Sequence, residues 1–195
     1  MSTNKSELIF VLDKSGSMNG LESDTIGGFN STIEAHKKLG SDVRVTTVLF
    51  DTNIELLHDR IDIEALSPLT TEQFQVGGMT ALLDAIGVAI HKIRNVHKQT
   101  APNHQPEQVI VVIITDGHEN SSKEYLRKDI KKLIKHQQDK YGWEFLFLGA
   151  NIDAVSEADS LGIHRDSSVQ YDATAMGVAL AWKQVTSYTA NRRKK

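Results

Sequence analysis

The chain alternates between continuous apolar runs and segments in which apolar residues recur at helical spacing. Residues 7–13 and 109–115 are apolar at almost every position and rich in branched side chains, which is typical of strands buried on both faces of a parallel sheet. Between them, the spacing of apolar residues from Leu82 to Ile93 predicts a helix with one buried face. This alternation predicts an α/β fold with a mainly parallel sheet and helices on both of its faces.

The same patterns predict the remaining elements. Further strands are expected at residues 43–50, 54–58, 143–149 and 168–171, and further helices at residues 24–38, 154–161 and 174–188. One more helix has an apolar face from Leu126 to Ile134, and Ser121 or Ser122 is expected to cap it. Because a short turn precedes residues 54–58, this strand is expected to be antiparallel and to lie at an edge of the sheet.

Two segments show no clear period. Residues 61–71 are mixed, with short helical pieces, and residues 97–108 are expected to form a polar surface loop. No internal repeat or linker marks a second domain. The 195 residues are therefore expected to form a single domain over residues 1–195, with a core at about 7–188 and a basic tail at 189–195.

Charge and cysteine content exclude several classes of function. The chain has 22 basic and 25 acidic residues, a formal net charge of −3, which does not favour a nucleic-acid partner. It has no cysteine, so disulfides, thiolate catalysis and cysteine-based zinc sites are excluded. No histidine pair has the H-E-x-x-H spacing of a zinc protease.

The two ends of the chain are polar. The first residues lack the apolar core of a signal peptide, and no apolar run approaches the roughly 20 residues that span a bilayer. We therefore expect a cytoplasmic location without membrane contact. The four basic residues from Arg192 to Lys195 are expected to form a frayed, solvated tail. Nothing in the sequence indicates an obligate assembly, so a monomer is expected.

Five oxygen-bearing side chains stand out in three separated segments. Asp13, Ser15 and Ser17 form the run DKSGS, Thr80 lies in GGMTAL, and Asp116 lies in TDG. The first and third segments directly follow the two most apolar strands. If these strands are parallel neighbours, their carboxyl ends meet at one edge of the sheet, where open α/β sheets bind ligands.

Each of these residues alone would be unremarkable. Asp, Ser and Thr at such positions are usually turn or helix-capping residues. Together they offer two carboxylates and three hydroxyls, which suit a hard divalent cation. Mg²⁺ is the expected ion, although Mn²⁺ and Ca²⁺ also accept oxygen ligands.

The segments DKSGS, GGMTAL and TDG, in this order, resemble the metal-ion-dependent adhesion site of von Willebrand factor type A (vWA) domains. The resemblance covers nearly the whole chain. It implies a doubly wound, Rossmann-like three-layer sandwich whose central sheet has about six strands, one of them antiparallel. It also implies that Ser15, Ser17 and Thr80 contact the ion directly or nearly so, and that Asp13 and Asp116 bind it directly or through water.

The resemblance further implies a function in protein binding rather than catalysis. In such sites the ion keeps one open coordination position, which accepts an Asp or Glu side chain of a partner protein. Intracellular relatives resemble assembly factors that work beside AAA+ ATPases or in stress-response systems, so a component of an AAA+ ATPase system is one expected partner.

A metal-dependent phosphohydrolase or phosphotransferase is the alternative function. A cation between Asp13 and Asp116 could polarise a phosphate. The chain, however, has no D-x-D motif after its first strand, no Walker A loop and no G-x-G-x-x-G fingerprint. Lys14, beside Asp13, is expected to point away from the site, because neighbouring residues of an extended segment face opposite sides.

Several neighbouring residues allow two interpretations. Residues 118–120 could touch a partner but fit an exposed loop better, and Asn151 could line the crevice. Met18 could contact a partner or pack locally. Trp143 and Trp182 lie within a strand and a helix pattern, so core packing is expected for both.

Overall fold

A six-stranded sheet with helices on both faces forms the fold. The computed structural model describes residues 5–40 and 42–193. The strands are β1 (Ser6–Asp13), β2 (Val43–Phe50), β3 (Ile54–Asp62), β4 (Gln108–Thr115), β5 (Glu144–Gly149) and β6 (Ser168–Gln170). The α-helices are α1 (Glu22–Leu39), α2 (Leu82–Gln99), α3 (Arg127–Tyr141), α4 (Ala154–Ser160) and α5 (Ala175–Arg192).

The strand order is β3-β2-β1-β4-β5-β6, and every neighbouring pair is parallel except β2 and β3. This confirms the predicted fold class, including the antiparallel edge strand. The chain winds outwards from the centre in two directions, first through β2 and later through β5. The topological switch point therefore lies between β1 and β4, and a crevice is expected there at the carboxyl ends of the strands.

Side chains that alternate along the central strands build two separate cores. Phe10 of β1 faces α1 and α5, where it packs against Phe29 and Trp182. Its neighbour Ile9 points to the opposite face, into a second core that contains Ile86 of α2. Every residue of β1 is buried, because both faces of the sheet are covered.

The contact between α1 and α5 depends on a glycine. A Cβ added at Gly28 would lie 2.2 Å from ring atoms of Trp182, which is 3% exposed. A Cβ added at Gly27, the adjacent residue of α1, would meet nothing within 4 Å. Gly28 therefore lets the indole lie directly on the backbone of α1.

We expect opposite effects of alanine at these two glycines. Gly28→Ala should lower the free energy of unfolding by about 2 kcal/mol, because the tightly packed indole must move. Gly27→Ala should raise it by about 0.5–1 kcal/mol, because alanine is the better helix former. Urea unfolding of both variants measures this contrast, and equal effects would contradict the packing described for Trp182.

Three predicted boundaries are wrong. Helix α2 continues to Gln99, so the predicted loop at 97–108 begins inside a helix. Strand β3 extends to Asp62, past a register irregularity. Helix α3 begins at Arg127 without a side-chain cap, so neither predicted serine caps it, and Leu126 is 60% exposed instead of buried.

The prediction of a solvated basic tail is wrong for the two arginines. Helix α5 continues to Arg192, whose Nη1 lies 2.8 Å from Glu144 Oε2. Arg193 is 4% exposed and donates a hydrogen bond of 2.8 Å to the carbonyl of Gly40, at the end of α1. A cation at a helix C-terminus is favoured by the helix dipole. Lys194 and Lys195 lie outside the described residues.

No helix in the described ranges 5–40 and 42–193 is both long and apolar enough to cross a membrane.

Candidate metal centre

The switch point between β1 and β4 brings two carboxylates to one end of the sheet. Asp13 is the last residue of β1, and Asp116 directly follows β4, with which β1 pairs in parallel. Both side chains are 1% exposed. The two aspartates predicted as site residues thus lie on adjacent strand ends.

Asp13 is held by hydrogen bonds to both of its carboxylate oxygens. Its Oδ1 accepts the Ser15 N–H at 2.7 Å, and its Oδ2 accepts the Thr115 hydroxyl at 2.6 Å. Burial raises the pKa of Asp13, and the hydrogen bonds from Ser15 and Thr115 oppose this change. The carboxylate is therefore fixed in orientation but poorly solvated.

Ser15, Ser17 and Asp116 form a chain of short contacts. The Ser15 and Ser17 hydroxyl oxygens are 3.1 Å apart, and Ser17 donates a hydrogen bond of 2.5 Å to Asp116 Oδ1. Burial raises the pKa of Asp116 to about 6, with a further contribution from the negative charge of Asp13, against the hydrogen bond from Ser17. Asp116 Oδ2 is buried and has no hydrogen-bond partner among the described residues.

Thr80 reaches the same place from the loop before α2. A Cβ added at Gly117 would lie 3.2 Å from Ser17 Oγ and 3.3 Å from Thr80 Oγ1, so the two hydroxyls flank the residue that follows Asp116. Thr80 is 3% exposed and does not cap α2, whose N-cap residue is Ala81. The structure therefore brings all five candidate residues to one end of the sheet.

Backbone contacts join the loops that carry these residues. The Gly16 N–H donates to the Gly78 carbonyl at 3.1 Å, and the Gly77 N–H donates to the Lys14 carbonyl at 2.9 Å. Gly78 has a φ of 73°, and a Cβ there would lie 2.7 Å from Thr52 Oγ1. Only glycine combines this conformation with so close an approach.

A second set of contacts ties the Thr80 loop to the segment after Asp116. Thr80 and Asn120 exchange two hydrogen bonds, from the Thr80 N–H to Asn120 Oδ1 at 2.8 Å and from the Asn120 N–H to the Thr80 carbonyl at 3.0 Å. Glu119 Oε2 accepts the Leu83 N–H at 2.9 Å. His118 and Asn120 are exposed, as expected for a surface loop, whereas Glu119 is half-buried.

Asp84 of α2 adds further hydrogen bonds between α2 and the segment that follows Asp116. Its carboxylate accepts the backbone N–H groups of Lys123, Glu124 and Tyr125 at 2.7–3.0 Å. The Ser122 hydroxyl accepts the Asp84 N–H at 3.1 Å. We call Asp84, Glu119, Asn120 and Ser122 the loop clamp, because together they fix the loop of Thr80 against the loop of Asp116.

We expect the loop clamp to control local opening. Glu119→Gln removes a carboxylate that accepts four hydrogen bonds, one from α2 and three from Ser121 and Ser122. Hydrogen bonds to charged groups contribute about 1.5–3 kcal/mol each, so amide exchange at Leu83 should accelerate at least about tenfold. Native-state hydrogen exchange measures this. Exposed Glu124→Gln is the matched control, and equal exchange at Leu83 in the two variants would contradict the clamp.

Tyr171 and Thr115 lie next to the carboxylates of Asp13 and Asp116. The Tyr171 hydroxyl donates to the Thr115 carbonyl at 3.3 Å, and Tyr171 is 7% exposed. Burial, followed by the negative charges of Asp116 and Asp13, raises the pKa of the Tyr171 phenol. Sequence reasoning missed this neighbour, because no periodic signal links an edge strand to the switch point.

Met18 and both tryptophans lie in the hydrophobic core. Met18 is 1% exposed and packs in the core, whereas Met79, next to Thr80, is 52% exposed. The Lys14 ammonium lies 3.2 Å from Glu55 Oε2. Trp143 and Trp182 are 4% and 3% exposed, which confirms the expected core positions.

Asn151 is exposed and has a φ of 53°. Asparagine adopts this left-handed conformation more readily than most residues.

These residues suit a small hard dication. Two buried carboxylates face the same region, and neither forms an ion pair with Lys, Arg or His within the described ranges. A buried charge is costly unless it is paired or coordinates a metal. No group of three or more His, Asp or Glu residues in the described part of the chain could hold an ion, so hydroxyl oxygens would have to complete the ligand set.

Comparison with known proteins decides the family. Residues 2–138, well over half of the chain, match the family model described as "VWA domain containing CoxE-like protein". The chain belongs to this family. Members of the wider vWA class often mediate protein–protein interactions. No curated protein sequence matches the chain.

Solved structures share the fold at low sequence identity. The vWF domain of the type V pili tip protein Mfa5 from Porphyromonas gingivalis is 12% identical, with a TM-score of 0.66, and the match covers 100% of this chain and 98% of that one. The PilB minor pilin from Streptococcus sanguinis is 12% identical, with a TM-score of 0.68 over 95% of this chain, which spans 61% of the pilin. Proximal thread matrix protein 1 from the mussel byssus, with a zinc-occupied MIDAS motif, is 15% identical, with a TM-score of 0.61 over 94% of this chain and 45% of that chain.

Proposed function

We propose that this vWA domain is a protein-binding module that holds a divalent cation, preferably Mg²⁺, at Asp13, Ser15, Ser17, Thr80 and Asp116. The chain would thereby have a complete metal-ion-dependent adhesion site. When bound, the ion would supply an open coordination position for a carboxylate of another protein. Mn²⁺ or Ca²⁺ could occupy the same set of oxygens.

The observation that carries the proposal is the environment of Asp116. Its Oδ2 atom is buried without a hydrogen-bond partner in the described ranges, although Oδ1 is held by Ser17. An unpaired buried carboxylate oxygen costs about 1–3 kcal/mol or more. A cation would relieve this cost and would also compensate the neighbouring charge of Asp13.

The five side chains would make two kinds of contribution to ion binding. Asp13 and Asp116 would balance its two positive charges, and the three hydroxyls would add neutral oxygens without further charge. The backbone contacts between the loops and the loop clamp would keep Thr80 in position before the ion arrives. Ordering the ligands when the ion binds would then cost little free energy.

The surroundings indicate the chemistry of the partner. The proposed partner segment presents an Asp or Glu side chain, because a dication keeps net affinity for one more anionic oxygen. Met79, exposed beside Thr80, would offer an apolar contact next to that carboxylate. A component of an AAA+ ATPase system, in the cytoplasm and with this chain as a monomer, remains our proposed setting.

A metal-dependent capture from native lysate tests the function. The domain is immobilised, and partners are collected in Mg²⁺, in EDTA and in EDTA followed by excess Mg²⁺. We expect partners that are lost in EDTA and recovered with Mg²⁺, and that are absent with Asp13→Ala. Partners that are retained equally in EDTA would contradict capture through a metal-bound carboxylate.

No specific observation favours the phosphohydrolase alternative. The Lys14 ammonium, the nearest cation along the chain, is directed to Glu55. We therefore propose no catalytic role for the site.

A further inference from the structure

A small cavity lies between α2 and α3, at the end of the sheet opposite to the candidate metal centre. Its volume is about 180 Å³, and its lining includes Val109 at the start of β4 and Trp143 just before β5. Pockets for drug-sized ligands occupy about 300–1,000 Å³. This cavity therefore has the size for a small ion or a single functional group.

Two buried nitrogen atoms of the cavity lining have no hydrogen-bond partner within the described ranges. Gln137 of α3 is 1% exposed, and its amide Nε2 is unpaired. Arg94 of α2 also lines the cavity, and its Nε is buried and unpaired. Both atoms are hydrogen-bond donors, and a buried donor without a partner is unfavourable. A ligand that brings acceptor oxygens would remove this cost.

Two backbone carbonyls near the cavity already accept hydrogen bonds. Gln105 Nε2 donates to the carbonyls of His97 and Thr100, at the end of α2, at 2.8 and 2.9 Å. These carbonyls would otherwise repel an anion, since they form the negative end of the helix dipole.

The charged groups of the lining also favour an anion. Arg94 and Lys98 contribute two positive charges, and Glu107 contributes one negative charge. The His97 Nε2 atom lies 2.7 Å from Glu7 Oε2, so this ring nitrogen already has a hydrogen-bond partner. The formal charge of Arg94, Lys98 and Glu107 together is therefore positive.

We propose that this cavity binds a small oxyanion, namely a carboxylate or phosphate group. Arg94 and Gln137 donate to its oxygens, Lys98 adds attraction, and Tyr141 and Trp143 form part of the wall. The site uses none of the residues of the candidate metal centre, so this proposal does not depend on the proposed function.

Anion titrations followed by NMR test the site. The ¹⁵N-labelled protein is titrated with inorganic phosphate and, separately, with acetate, at constant ionic strength. We expect saturable shifts of the amides at residues 137–143, and the tighter of the two anions identifies the group that the cavity prefers. Arg94→Met should weaken binding at least tenfold. Exposed Arg165→Met, which removes the same charge elsewhere, should leave binding unchanged.

A second variant keeps the test decisive if Arg94→Met does not fold. Gln137→Leu replaces the unpaired buried amide with an apolar group, so it should fold and should also lose the saturable shifts. The proposal is overturned if neither anion gives saturable shifts at residues 137–143. It is also overturned if Gln137→Leu or folded Arg94→Met binds as the wild type does, or if Arg165→Met weakens binding equally.

Discussion

Asp116→Asn is expected to weaken Mg²⁺ binding strongly and, at the same time, to stabilise the metal-free protein. Loss of the carboxylate should lower Mg²⁺ affinity at least 10–100-fold. Even residues that only hydrogen-bond to metal ligands contribute a factor of about this size. Without metal, the substitution removes a buried charge whose Oδ2 has no partner in the described ranges and which lies near Asp13. The metal-free free energy of unfolding should therefore rise by about 1 kcal/mol or more.

Calorimetric Mg²⁺ titration and urea unfolding in EDTA measure the two effects. Asp159→Asn, on the exposed side of α4, is the matched control and should change neither quantity. The combination of weaker binding and higher stability distinguishes a ligand from a structural residue. A variant that binds Mg²⁺ like the wild type, or that is less stable without metal, would contradict the role assigned to Asp116.

Acidification is expected to weaken the fold through His36. This side chain is fully buried between α1 and α5, where its Nε2 lies 2.7 Å from Thr189 Oγ1. Thr189 donates its own proton to the Val185 carbonyl, so Nε2 must be the donor to Thr189. The other ring nitrogen, Nδ1, faces the Arg193 guanidinium, which only donates. The environment thus requires a neutral ring.

Burial, followed by the charge of Arg193, lowers the pKa of His36 from 6.5 to about 4. Above pH 6.5 the ring is neutral in both the folded and the unfolded chain, and its contribution to stability is complete. As the pH falls from 6.5 to 4, only the unfolded chain takes up the proton. The free energy of unfolding should therefore decrease by about 3 kcal/mol over this range through His36.

The raised pKa values of Asp13 and Asp116 act in the opposite direction, so the effect must be isolated by difference. The pH profile of the free energy of unfolding is measured for the wild type and for His36→Gln. The fall from pH 6.5 to 4 should be about 3 kcal/mol smaller in the variant. Exposed His104→Gln should keep the wild-type profile, and parallel profiles for the wild type and His36→Gln would refute the prediction.

The sequence predicts the sheet well because burial on both faces leaves a strong local signal. Residues 43–50 match β2 without error, and the short turn after them correctly predicts the antiparallel edge strand β3. The same logic brings Asp13 and Asp116 to neighbouring strand ends. That these residues bind an ion stays a prediction.

The contacts that support the site could not be predicted in the same way. Ser122 has the local signature of a helix cap, but its hydroxyl instead accepts the Asp84 N–H and donates to Glu119. Arg193 has the signature of a solvated tail, but it is buried beside His36. Asp84 lies 38 residues from Ser122 in sequence, and His36 lies 157 residues from Arg193. Only the tertiary fold determines that these distant groups meet.

The most direct test of the metal centre is an anomalous-scattering map of crystals soaked in Mn²⁺. The account predicts one peak at the carboxyl ends of β1 and β4, within bonding distance of the Ser15, Ser17 and Thr80 hydroxyl oxygens and next to Asp13 and Asp116. A map with no peak there, in crystals whose surface carboxylates show bound Mn²⁺, would contradict it.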